Sequence, residues 1–198
     1  QAEAAFKKAI ELEPKALAPY TDLARLYAKA GTYDKAAQGL ETALKQNPDS
    51  LPTLMLLALI HEQQGRVEQA AGLYEKVLKL VPDFPPAANN LAWHLSERGD
   101  MERAMFLAQK AKEAMPKDPR VSDTLAWIYY KRGLYARALD LLKESSQQLP
   151  DEPAVHYHLG MVHLKRGEEA AARQALERAL RLSRTFPGAM EAEQAREA

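Results

Sequence analysis

Apolar residues recur along this chain at helical spacing, and the arrangement returns every 34 residues. Leu23, Leu57, Leu91, Leu125 and Leu159 mark one site; the small residues Ala24, Ala58, Ala92, Ala126 and Gly160 follow directly. Four residues after each leucine stand Tyr27, His61, Leu95, Tyr129 and His163. A second segment carries Ala36, Ala70, Ala104, Ala138 and Ala172, with Leu40, Tyr74, Ala108, Leu142 and Leu176 four residues further on. Positions three or four apart share a helix face, so both segments predict helices with one buried stripe.

Two kinds of punctuation share the period. Pro14, Pro48, Pro82, Pro116 and Pro150 close the second helix of each unit, and Gly31, Gly65, Gly99, Gly133 and Gly167 end the first. Glycine reaches the left-handed conformation that terminates a helix, and basic pairs such as Lys131-Arg132 suit its negative end. New helices are expected to start at Asp118-Pro119 and Ser50-Leu51-Pro52, where a side-chain cap meets a preset backbone angle. The chain then reads as a half unit over 1–16, five helix hairpins over 17–50, 51–84, 85–118, 119–152 and 153–186, and a polar capping helix over 187–198. Eleven antiparallel helices continuing into one terminal helix are expected. Gln1 falls in the second helix of a unit, so the chain reads as a fragment, and Phe6 and Ile10 form an edge for another copy or another protein to cover.

In these residues the sequence resembles the tetratricopeptide repeat family: leucine, small residue, tyrosine, then alanine, an aromatic and proline appear in order over nearly the whole chain. Departures are Ala88 and Ser122 at an aromatic site, Ala108 at another, Ser145 for a small apolar residue and Arg184 for the last proline. The resemblance implies an all-α fold, a right-handed solenoid of antiparallel helix hairpins, and a scaffold that binds rather than catalyses.

Composition narrows this further. Helix formers dominate the 198 residues, and Lys plus Arg equals Asp plus Glu at 27 each, so no global field draws the chain to nucleic acid. Without cysteine, disulfides, thiol catalysis and Cys-based zinc sites are excluded. The longest apolar stretch, Leu51 to Ile60, holds Pro and Thr and is about half a membrane span. A soluble chain is expected; its compartment stays open, with the bacterial envelope favoured.

Catalytic chemistry finds no foothold. His156 and His163 share a helix face, but no carboxylate stands at ligand spacing; with His61, His94 and His158 they read as core or hydrogen-bonded rings, and no cofactor is expected. Glycines occur singly, so no loop cradles phosphate. Glu168-Glu169 reads as a solvated face.

The resemblance places the first helices on a concave side, with residues two before and two after the recurrent leucine pointing into it. Met55, Asn89, Asp123 and Tyr157 occupy the earlier site, and Leu59, Trp93, Trp127 and Met161 the later one, with Tyr130 one turn on and Lys131 and Lys165 at the edge. An apolar stripe of this kind marks a binding surface. The two tryptophans are the expected anchors for a protein or peptide; the alternative function is a self-assembling or glycan-handling structural element of an exopolysaccharide or envelope system, and ring packing between repeats is the purely structural reading. The carboxylate clamp of chaperone adaptors and the asparagine line of glycosyltransferase-linked repeats are not matched. The stretches around Trp93 and Trp127, with Phe186-Pro187-Gly188, resemble repeats of bacterial exopolysaccharide-export and protein-sorting proteins.

Overall fold

The computed structural model describes residues 1–197. Among them lie twelve helices and no strand, as the spacing predicts: α1 Ala2–Leu12, α2 Leu17–Lys29, α3 Tyr33–Gln46, α4 Leu51–Gln63, α5 Val67–Leu80, α6 Pro85–Glu97, α7 Met101–Ala114, α8 Pro119–Lys131, α9 Tyr135–Gln148, α10 Pro153–Lys165, α11 Glu169–Leu182 and α12 Ala189–Glu197. Among the described residues, no helix is long and apolar enough to cross a membrane.

The turn inside each hairpin is the same five times. Gly31, Gly65, Gly99, Gly133 and Gly167 all have φ between +70° and +86°. The next residue's N–H then reaches back to the carbonyl five residues earlier, as in Thr32 to Tyr27 at 2.9 Å and Leu134 to Tyr129 at 2.8 Å. That bond satisfies a carbonyl the helix end would orphan and turns the chain back on itself.

Helix starts are less uniform than expected. Asp118 does cap α8, its carboxylate accepting from the N–H groups of Arg120 at 2.9 Å and Val121 at 3.4 Å. Ser50 does not cap α4 with its side chain; its hydroxyl is buried against that of Thr53, 2.8 Å away. Once both hydroxyls are out of water, each is the other's nearest partner.

The chain divides into two compact units, residues 1–94 and 95–198, with the boundary inside α6. In the first, Ala24, Ala36, Ala37, Leu40, Leu57 and Ile60 form the core, with Tyr27, Leu56 and Leu73 packed half-buried against it. In the second, Ala126, Ala138, Leu139, Leu142, Val155 and Val162 play that part, flanked by Tyr129, Leu141 and Leu159. Alanines at the crossing points let helices approach, and each leucine buried against them is worth roughly 1.5–3 kcal/mol. Leu23, Leu57, Leu91 and Leu125 are buried, whereas Leu159 is half-buried. Its neighbour Gly160 lets α11 come close: a Cβ there would stand 2.7 Å from Leu176. Ser145, the polar departure, is fully buried and donates to the Pro119 carbonyl at 2.9 Å, so its hydroxyl is satisfied.

Candidate functional site

Within residues 1–94, the first-helix face carries Met55 and Leu59 one turn apart on α4 and Asn89 and Trp93 one turn apart on α6. Leu59 is 41% exposed, and Met55, Asn89 and Trp93 are half-buried. Beneath them lies a polar network that links the two helices. The Glu62 carboxylate accepts from the Tyr74 hydroxyl at 3.0 Å and from Nε2 of His94 at 2.6 Å. Asn90 donates to the same tyrosine oxygen at 3.0 Å. Burial and, after it, the Glu62 charge raise the Tyr74 pKa, so the phenol stays a donor. This network fixes how α6, and with it Trp93, stands against α4.

Within residues 95–198 the expected surface is largely closed. Trp127 is only 8% exposed and Tyr157 6%. Tyr130 stacks near-parallel on the indole at a centroid distance of 4.6 Å, and His158 stacks on it at 4.2 Å. The indole N–H donates to Glu97 at 3.2 Å, and Lys131 bonds the same carboxylate at 2.6 Å while its ammonium lies 5.8 Å from the indole centroid. Asp123, one turn before Trp127, accepts from Nδ1 of His158 at 2.8 Å. The expectation of Trp127 and Tyr157 as open anchors is therefore corrected: rings from the adjoining turn and the next repeat stack on the indole, and little face is left for a ligand. Phe186 and Gly188 close over Tyr157 in the same way. Burial first, then the charge of Glu191, pushes the Tyr157 hydroxyl up to about 12. Tyr130, Lys131 and Met161 are half-buried and Lys165 is exposed, and these keep an accessible rim.

All five histidines are buried and bonded. His61 donates to Gln64 at 3.1 Å, and His156 to the Pro150 carbonyl at 2.9 Å. His163 bonds Glu168 at 2.5 Å. That last contact, followed by Arg166, holds the Glu168 carboxyl below the usual range. Glu168 is thus tied to the α10–α11 turn rather than being a mere solvated acid. The bonding roles of Glu62, Glu97 and Asn90 are not legible in the helix pattern. The signal available was their register, since each bond joins residues 16 to 35 apart along the chain. At the N-terminal edge, Phe6 and Ile10 are half-buried and Leu12 is 73% exposed.

Two family models described as tetratricopeptide repeat match the chain, one over residues 61–128 and the other over 1–50 and 21–83. The chain belongs to the tetratricopeptide repeat family. Its last repeats also match, over residues 97–179, a model described as anaphase-promoting complex, cyclosome, subunit 3. No match was found among curated proteins. Solved structures of tetratricopeptide repeat proteins share the all-α solenoid fold. YrrB, a TPR protein with an unusual peptide-binding site, is 19% identical with a TM-score of 0.68, covering 98% of both chains. A thermophilic TPR protein in Thermus thermophilus gives 21% identity and a TM-score of 0.72, covering 92% of this chain and 100% of its own. The APC/C hetero-tetramer Cut9-Hcn1 gives 20% and 0.83, covering 98% of this chain and 38% of the matched one. At such identities these repeats share the fold with their relatives, a fold consistent with a protein-interaction role.

Proposed function

We propose that this chain is a non-catalytic scaffold that binds a protein or peptide along the face of its first helices. The observation that carries the proposal is Leu59, a large apolar side chain left 41% exposed one turn after half-buried Met55 and at the place on α4 that half-buried Trp93 holds on α6. Leucine exposed singly is ordinary; on a face whose equivalent positions carry a methionine and an indole it extends an apolar stripe whose burial drives association. The Glu62–His94 bond holds the two helices bearing these side chains in one arrangement, which lowers the ordering cost of binding. The peptide-binding site of YrrB supports the same kind of ligand. A glycan is the weaker reading, since sugar faces need open rings and Trp127 is covered by Tyr130 and His158.

The test is selection of peptides from a displayed library on the whole chain, followed by titration of synthetic copies against tryptophan fluorescence. Leu59→Asp and Trp93→Ala should each weaken binding at least about tenfold, or ~1.4 kcal/mol, with Leu59→Asp leaving the melting temperature unchanged. Selected peptides that bind both variants as tightly as the parent would place the surface elsewhere.

A further inference from the structure

We infer that the groove lined by α1, α2 and α3 is a second docking surface, and that it takes a leucine side chain of a partner protein flanked by acidic residues. It lies apart from the Leu59 surface and does not depend on it.

The inference starts from one missing side chain. At the same place in successive second helices stand Gly39, Leu73, Leu107, Leu141 and Ala175. Leu73 and Leu141 are half-buried and pack against the cores of their units. At Gly39 the corresponding space is empty, and a Cβ added there would meet no atom within 4 Å. Glycine inside a helix is destabilising relative to alanine or leucine. Neither of the usual structural reasons for it applies here, since Gly39 lacks a positive φ and no neighbour approaches it. The result is a groove of about 420 Å³ whose floor includes Leu23 and Ala24 and whose wall includes Ile10. Such a volume falls in the range of sites that hold small apolar groups.

The chain's own repeats say what fits. Leucine fills this position from within in three repeats, so a leucine from outside is the matching group in the first. Charge selects its neighbours. Lys7 and Lys35 line the groove, and no carboxylate does. Glu3 at the rim is bonded to Lys7 and to the Tyr27 hydroxyl, each at 2.8 Å, so the three charges leave the rim net positive. The partner's residues beside the leucine are therefore acidic.

The experiment uses the whole chain, its backbone amides followed by NMR, titrated with a short helical peptide carrying leucines at i and i+4 among glutamates, and with the same peptide having lysine for glutamate. The acidic peptide should shift the signals of Ile10, Ala24 and Gly39, and bind at least roughly tenfold tighter than the basic one. Gly39→Leu should raise the melting temperature while abolishing those shifts, because it supplies the missing side chain. Lys35→Glu, an exposed change that leaves the fold intact, should reverse the preference between the two peptides. The proposal is overturned if Gly39→Leu binds the acidic peptide like the parent or if Lys35→Glu leaves the preference unchanged. It is equally overturned if diluting the chain alone moves the same signals, since a second copy would then be the occupant.

Discussion

Trp127 and His158 stack with their ring centroids 4.2 Å apart, joining two successive first helices through a contact that neither helix pattern encodes. The histidine is held from its other side by Asp123, and the indole N–H by Glu97. Ring faces, hydrogen bonds and burial all point the same way, so this pair belongs to the packing of the 95–198 unit.

Trp127→Ala should accordingly lower stability by about 3–5 kcal/mol, the usual cost of deleting a buried aromatic side chain. A urea titration followed by circular dichroism measures it. Trp93→Ala, at a half-buried position, should cost less. An unchanged midpoint for Trp127→Ala together with lost peptide binding would restore the ring as an open anchor.

Alkaline pH should weaken the fold partly through Tyr157. Its pKa rises from 10.0 to about 12 on folding, so the native state keeps a proton that the unfolded chain releases. The resulting stabilisation is complete below pH 10.0 and is lost as pH climbs to about 12. Its slope in that window is at most ~1.4 kcal/mol per pH unit. Tyr157→Phe removes this contribution, and its unfolding free energy should fall less steeply than the parent's through the same range. Identical slopes would mean that the hydroxyl is as solvated in the folded chain as in the unfolded one.

Gly188 should resist substitution for two reasons. Its φ is +95°, and an added Cβ would collide with the ring of Tyr157, 2.7 Å from Cζ. Gly188→Ala is expected to cost about 1–3 kcal/mol and to loosen the segment leading into α12. Limited proteolysis reads this as faster cleavage near residues 186–190; a variant cut no faster than the parent would contradict it.

The amino-acid sequence by itself determined the repeat, the hairpins and the small-against-large pairing of the core. Each depends on residues only a few positions apart, and five copies of one pattern leave a single period that fits. Gly31 and its four counterparts show this most directly, because the left-handed backbone angle excludes other residues locally. What tertiary structure decided was which side chains on the first-helix faces remain open. Leu59 and Trp127 occupy the same register, yet one is 41% exposed and the other 8%. The difference comes from what the adjoining turn and the next repeat supply: Tyr130 and His158 cover the indole and Glu97 binds its N–H. The groove at Gly39 was equally hidden, since an absent side chain becomes a site only when α1 and α2 stand around the space it leaves. Burial of a surface position is a property of its neighbours in space, and of those around Trp127 only Tyr130 is close in the chain, His158 and Glu97 lying about one repeat away.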